Sequence, residues 1–97
     1  MITTKQRAKL RGLANSIQTT IQIGKSGITD AVATQASQEL KARELIKLRV
    51  LESSGITAKQ AAGELAQMTG ADIVQCIGTR FVLFLQKDKD TAYPLDK

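Results

Sequence analysis

The spacing of apolar and polar residues along the chain predicts three helices and four strands. Apolar residues recur every three or four positions, as on one face of a helix, in residues 4–15, 30–43 and 58–69. Alternating or continuous apolar residues favour strands in residues 18–23, 44–51, 73–77 and 81–85. The resulting order is α-β-α-β-α-β-β. It predicts an α/β fold of the α+β sandwich-like kind, in which parallel crossovers and a final hairpin give a four-stranded mixed sheet with three helices.

Residues at the predicted helix ends agree with these boundaries. Thr29 suits the N-cap of the second helix, because a threonine hydroxyl can accept a hydrogen bond from the first turn. Thr57 and Gln60 have the spacing of a capping box at the start of the third helix, and Gly70 suits its C-terminal end. The connection Gly78-Thr79-Arg80 is typical of a hairpin.

The second predicted strand carries cations on one of its two faces. Period-two alternation places Ile46, Leu48 and Val50 on one face and Leu45, Lys47 and Arg49 on the other. If water covers the second face, Lys47 and Arg49 add to a basic surface. If a helix covers it, their aliphatic stems lie along apolar surface.

The charge of the chain is positive and uneven. The 97 residues carry a net charge of +5, and the sequence pI is about 9.7, which favours an anionic partner. Residues 1–50 hold nine Lys and Arg against three Asp and Glu, a balance of +6, whereas residues 51–97 hold five against six, a balance of −1. A basic chain can also be merely soluble and cationic.

Composition disfavours several classes of site. The single cysteine, Cys76, cannot form a disulfide within the chain, and the chain has no histidine, the commonest general base and metal ligand. We therefore expect no metal, no cofactor and no enzyme activity. No apolar run is long enough for a membrane span and no signal peptide opens the chain, so we expect a cytoplasmic protein without a membrane partner. We expect residues 1–86 to form one domain and residues 87–97 to form a C-terminal tail.

A glycine-x-x-glycine turn joins the first strand to the second helix. Gly24 and Gly27 can turn the backbone sharply or approach a ligand closely, and Lys25 and Ser26 stand between them. Free N–H groups at such a turn and at the helix start after Thr29 can bind an anion. The same pattern is also found in ordinary strand-to-helix turns. It lacks the spacing of a Walker A loop and the third glycine of a dinucleotide-binding loop.

The first predicted helix carries four cations and no acid. Lys5 and Lys9 lie on one side of its apolar stripe, and Arg7 and Arg11 lie on the other. They can form an ordinary solvated face, or they can face an anion that offsets their mutual repulsion. Arg80, at the hairpin, can touch a phosphate or remain solvated, and we favour the solvated interpretation.

Four segments in the same order resemble the CRM domain, also called YhbY-like, a small RNA-binding family. They are TKQR with LR at 4–7 and 10–11, IGKSGIT at 23–29, ELIKLRV at 44–50, and VQCIG with VLF at 74–78 and 82–84. The resemblance covers about residues 3–86. It implies a fold similar to the C-terminal domain of bacterial translation initiation factor three, and RNA binding through the glycine loop and neighbouring basic residues. The chain departs from the family pattern at Asn15, where members often have histidine, and at Phe84 and Leu85, where they tend to have tyrosine and arginine.

Together these observations favour a non-catalytic RNA-binding protein. The resemblance to a bacterial single-domain member implies ribosomal RNA or the pre-ribosomal large subunit as the partner. The candidate RNA-binding residues are Gly24, Lys25, Ser26, Gly27, Thr29, Lys5, Arg7, Lys9, Arg11, Lys47 and Arg49. The alternative is a protein-interaction module that docks on a ribosomal or other protein. The oligomeric state is left open, with a monomer assumed.

Overall fold

The computed structural model describes residues 2–86 and confirms the predicted order of elements; the expected tail at 87–97 lies outside the described residues. The helices are α1 (Thr4–Ala14), α2 (Asp30–Arg43) and α3 (Ala58–Thr69), and a short 3-10 helix spans Glu52–Ser54. The strands are β1 (Thr19–Ile23), β2 (Leu45–Val50), β3 (Asp72–Ile77) and β4 (Arg80–Phe84). No helix within the described residues is long and apolar enough to cross a membrane.

The four strands form one mixed sheet in the order β1-β2-β4-β3. β1 and β2 are parallel, because α2 carries the chain back to the starting end of the sheet, and β4 is antiparallel to both of its neighbours. The β3–β4 hairpin turns at Gly78, whose φ of +58° lies in the left-handed region that glycine adopts at little cost. The predicted mixed sheet is therefore confirmed.

Threonine side chains begin all three helices. The hydroxyl groups of Thr3, Thr29 and Thr57 each accept a hydrogen bond from a backbone N–H three residues further on. The C-terminal end of α2 differs from the prediction. Glu44, expected in the second strand, instead ends α2 with a φ of +67° and is buried. The strand begins one residue later, at Leu45.

Two apolar cores lie on opposite faces of the sheet. The larger core packs under α2 and α3, and the smaller one packs under α1. β4 contributes to both, with Phe81 and Leu83 on the larger side and Val82 and Phe84 on the smaller side. This confirms that the fourth strand, which is apolar on both faces, is buried.

The helix α1 covers only the half of its sheet face that lies near the start of β2. There Leu10 and Ala14 pack on Leu45, Val74, Val82 and Phe84. Towards the other end of β2, Lys47 and Arg49 are half-buried on the same face, and neither belongs to the small core. Among residues 2–86 no helix packs on this part of the sheet, which we call the uncovered half, and it lies beside the loop that follows β1.

Candidate nucleic-acid interface

The glycine loop is a tight turn at the carboxyl end of β1. The N–H of Gly27 donates to the carbonyl of Gly24 at 2.9 Å, which closes the turn. Lys25 and Ser26 form its exposed tip, and their N–H groups have no hydrogen-bond acceptor within residues 2–86. The loop therefore presents two backbone donors and one lysine to solvent, while the N–H of Gly27 is already used.

The two glycines have different structural roles. Gly27 has a φ of +68°, in the left-handed region where an L side chain is strained. Gly24 does not need this conformation, and a Cβ atom built on it would lie 3.8 Å from Leu51 Cδ1 and 4.0 Å from Ser53 Oγ, in ordinary contact. Of the two loop glycines, the backbone therefore requires only Gly27, and a requirement for glycine at position 24 must come from something that approaches the loop.

Three loops meet at this end of the sheet. The N–H of Leu51 donates to the carbonyl of Ile23 at 2.8 Å, which joins the segment after β2 to the end of β1. The N–H of Val50 donates to the carbonyl of Thr79 at 2.8 Å, which joins the β3–β4 hairpin to the same end. The glycine loop therefore follows a strand whose end is hydrogen-bonded to its neighbour, and it lies beside two other loops.

The start of α2 contributes less to an anion site than its position suggests. The Thr29 hydroxyl accepts from the N–H of Val32 at 3.2 Å, which confirms Thr29 as the N-cap and uses one of the free donors of the first turn. Asp30 places a carboxylate in that first turn, where it already satisfies the helix dipole and repels a second anion. Thr29 is thus explained by its capping role alone.

One row of four side chains crosses the uncovered half of the sheet, next to the glycine loop. The register pairs Gln22 with Arg49, Arg49 with Arg80, and Arg80 with Ile77. Directly paired residues point to the same face of a sheet. We call Gln22, Arg49, Arg80 and Ile77 the arginine row. Lys47 lies on the same face, two residues further from the loop.

The structure adds Arg80 to the basic residues predicted from the sequence, where we favoured a solvated side chain. Arg80 is exposed, but it lies opposite Arg49 instead of standing apart at the hairpin tip. The two-residue connection at Gly78 and Thr79 fixes the pairing of Arg80 with Ile77. The pairing with Arg49 depends on β4 inserting between β2 and β3, and no local sequence signal gives that order.

The guanidinium of Arg49 carries a buried hydrogen-bonding group. Its Nε is buried and has no partner within the part of the chain that the structure describes. Buried donors are normally paired, and an unpaired one is costly, particularly on a charged group.

The four cations of α1 do not form one surface. Gln6 lines a cavity with Gly70 and Asp72, at the end of the sheet that is remote from the glycine loop. Arg7 and Arg11 lie together on the opposite flank of α1. That flank therefore borders the uncovered half of the sheet. Arg7 is partly committed to the fold, because its Nε donates to the carbonyl of Ile73 at 3.0 Å.

Lys5 and Lys9 lie on the flank that carries Gln6. They are exposed, and α1 stands between them and the arginine row. The predicted set thus separates into a larger part near the loop and the uncovered sheet, and a smaller part behind α1. Within residues 2–86 there is no group of three side chains that could hold a metal ion.

Comparisons with known proteins identify the family. Residues 2–84 match the model of the CRS1/YhbY (CRM) domain. The chain is 33% identical over 95 residues to the "Probable RNA-binding protein YqeI" of Bacillus subtilis (strain 168), with 98% of this chain and 99% of that protein covered. It is 31% identical over 83 residues to an "RNA-binding protein" of Haemophilus influenzae, with 86% of this chain and 84% of that protein covered.

A solved structure is similar as well. The solution structure of a hypothetical protein from Staphylococcus aureus, described as a candidate RNA-binding protein, is 34% identical and superposes with a TM-score of 0.74. The match covers 97% of this chain and 100% of that chain. On the family match across most of its length, the agreement of the fold and the similarity to these proteins, this chain belongs to the CRS1/YhbY (CRM) domain family.

Proposed function

We propose that this protein binds ribosomal RNA without catalysis and acts in large ribosomal subunit assembly. The observation that carries the proposal is the position of the glycine loop. Its two unpaired N–H groups and Lys25 lie at the same end of the sheet as Arg49 and Arg80. Backbone donors and cations that converge in this way suit phosphate oxygens. The RNA-binding names of the B. subtilis and H. influenzae relatives support RNA as the ligand.

The aromatic residues indicate how RNA would be recognised. Phe81 and Phe84 are both buried in the cores, the chain has no tryptophan, and the single tyrosine lies outside the described residues. No aromatic ring within residues 2–86 is available to stack on a base. Recognition of shape and backbone is therefore favoured over sequence-specific reading of single-stranded bases.

Binding without catalysis is supported by the chemistry of the loop. Lys25 and Ser26 are exposed at its tip. An exposed tip lacks the desolvation by which enzymes make a lysine act on a neighbouring hydroxyl.

A second candidate function, a protein-interaction module docking on a ribosomal or other protein, has one observation in its favour. β3 is an edge strand, and its last residue, Ile77, is 63% exposed. An apolar side chain on an open edge can support protein contact. Such contact would respond weakly to salt, unlike binding to phosphates.

The test compares the wild type with Gly24→Asp and Gly63→Asp. Gly24→Asp places a carboxylate in the loop at a position where the backbone accepts a side chain. Gly63→Asp adds the same charge on the exposed side of α3, where a Cβ atom meets nothing within 4 Å. Affinity for immature and mature large-subunit RNA is measured over a salt series, with circular dichroism to confirm folding.

We expect the affinity of the wild type to fall steeply with salt, by roughly 0.7–0.9 log units per phosphate contact for each tenfold rise in concentration. Gly24→Asp should weaken binding and Gly63→Asp should not. Preference for immature RNA supports the assembly role. A flat salt response would instead support the protein-interaction function, and equal loss in both variants would remove the loop from the site.

A further inference from the structure

The centre of the arginine row is a pair of like charges held by the sheet itself. Arg49 and Arg80 are direct partners in the antiparallel ladder of β2 and β4. Cβ atoms of direct partners lie about 4.5–5.5 Å apart, and like charges at that position destabilise a sheet. The register, and not a flexible loop, places the two arginines side by side.

Nothing else in the row neutralises this pair. The outer positions hold Gln22, which is polar and uncharged, and Ile77, which is apolar. Lys47, on the same face of β2, adds a third cation. The Nε of Arg49 is buried and has no acceptor within residues 2–86. The row thus carries excess positive charge, although the Nε of Arg49 is buried and is not itself open to a ligand.

We propose that Arg49 and Arg80 together bind one phosphate of the RNA backbone on the open sheet. This inference rests on the proposed RNA-binding function and extends its site from the glycine loop onto the sheet. A guanidinium presents a planar set of donors that matches phosphate oxygens, and two of them can share one phosphate. One bound phosphate offsets the repulsion between the two cations.

The two ends of the row fit a nucleotide chain that crosses the strands. Neighbouring strands are about 4.8 Å apart, so the row from Gln22 to Ile77 spans roughly 14 Å. Ile77, 63% exposed, offers an apolar contact for a ribose or base beside the arginine pair. At the other end, Gln22 lies two residues before Gly24, so a strand of RNA on the row leads to the glycine loop.

The experiment uses Arg49→Gln, Arg80→Gln and the double variant R49Q/R80Q, with Arg43→Gln as a matched control. Arg43 is an exposed arginine at the end of α2, on the helix that covers the opposite face of the sheet. RNA affinity of each full-length variant is measured over the same salt series as for the loop variants. Loss of one whole phosphate contact weakens binding about five- to eightfold at 0.1 M salt and reduces the salt slope by roughly 0.7–0.9. Each single variant should weaken binding by less than this, because the remaining arginine still neutralises the shared phosphate.

The double variant tests whether the two arginines share a phosphate. If they do, the double variant should lose the slope of one contact, roughly 0.7–0.9, and this should exceed the summed losses of the two single variants. A full loss of roughly 0.7–0.9 in each single variant, adding to twice that value in the double variant, would mean two separate phosphates and overturn the proposal. Single variants that bind like Arg43→Gln would overturn it too, even if Gly24→Asp had confirmed the loop.

Two further outcomes are distinguishable. If wild-type affinity does not depend on salt, the proposed RNA-binding function fails, independently of the row. Polyglutamate is added as a competitor at the same concentration of negative charge as the RNA. If it displaces RNA from the wild type but not from R49Q/R80Q, Arg49 and Arg80 bind carboxylates of an acidic protein instead, and the RNA proposal is wrong. Displacement of RNA by other RNA but not by polyglutamate or inorganic phosphate supports the proposal.

Discussion

Arg49 and Arg80 lie directly opposite each other in the antiparallel pairing of β2 and β4, on the sheet face that α1 leaves uncovered. The pairing costs the free protein stability, because like charges at directly opposed positions repel. Under the proposed function, an RNA phosphate bound by both arginines would offset this cost.

This repulsion predicts that Arg80→Gln stabilises the free protein while it weakens RNA binding. We expect the free energy of unfolding in urea to rise by about 0.2–1 kcal/mol at low salt, and the gain to shrink at high salt as the repulsion is screened. In Arg43→Gln, which removes a cation from the favourable C-terminal end of α2, we expect no gain. Destabilisation by Arg80→Gln would show that the guanidinium serves the fold.

The elements of the fold could be predicted from the sequence because local patterns determine them. Periodicity located all three helices and four strands, and α2 was predicted at its observed bounds of Asp30–Arg43. The assignment of Glu44 to a strand was wrong, because the residue takes a left-handed conformation that a buried glutamate rarely adopts. Only the packing of the chain around it could reveal this.

The candidate site was less accessible to sequence reasoning. The motif located the glycine loop, and Arg80 is exposed as expected. Its position opposite Arg49 could not be predicted, because the two residues are 31 positions apart and become adjacent only through the strand order. Likewise, the periodicity of α1 separated Lys5 and Lys9 from Arg7 and Arg11 but could not show which flank borders the open sheet. Relations that depend on the tertiary arrangement were the ones missed.

Substitution of the two loop glycines by alanine should change the stability of the protein by different amounts. Gly27→Ala forces a side chain into a φ of +68° and should cost about 1–2 kcal/mol of unfolding free energy. Gly24→Ala meets only ordinary contacts with Leu51 and Ser53, so its cost should be within about 0.5 kcal/mol. Urea denaturation of both variants measures the difference.

Asparagine provides the control, because it tolerates the left-handed region better than alanine does. Gly27→Asn should therefore recover part of the stability lost in Gly27→Ala. Equal stability of the two alanine variants would contradict the conformational distinction between the glycines. An RNA-binding loss in Gly24→Ala without a stability loss would indicate close approach of the ligand at that position.

Arg7 and Arg11 share a flank of α1, but their substitution should have different effects on stability. The Nε of Arg7 donates to the carbonyl of Ile73, which ties α1 to the edge strand β3. Arg7→Gln should lower the free energy of unfolding by about 1 kcal/mol, the usual net value of such a bond. Arg11 is exposed, so Arg11→Gln should change it by less than about 0.5 kcal/mol.

In RNA binding, Arg11→Gln should reduce the salt slope, because its flank borders the uncovered sheet. Lys9→Gln, on the opposite flank, is the matched control and should leave the slope unchanged. If Arg11→Gln and Lys9→Gln have equal salt slopes, the flank of α1 beside the uncovered sheet contributes no more to RNA binding than the opposite flank does. Urea denaturation and the salt series can be performed on the same protein preparations.

The free thiol of Cys76 should report the local environment at the edge of the sheet. Desolvation raises the pKa of the Cys76 thiol above its ordinary value, and the nearby Lys59 cation lowers it in part. The neutral thiol is thus favoured in the folded state, so its contribution to stability is present below the pKa of the unfolded chain and is lost as pH rises through the folded pKa. Alkylation of the native protein by iodoacetamide should therefore increase at higher pH than alkylation of the urea-unfolded protein.

Removing Lys59 tests the electrostatic part of this prediction. Lys59→Gln should move the midpoint of the native rate against pH further upward, because the cation that favours the thiolate is lost. Steric protection alone would slow alkylation by the same factor at every pH and leave the midpoint in place. Cys76 is exposed, so a native midpoint at or below that of the unfolded protein would show that partial burial does not raise the pKa of its thiol.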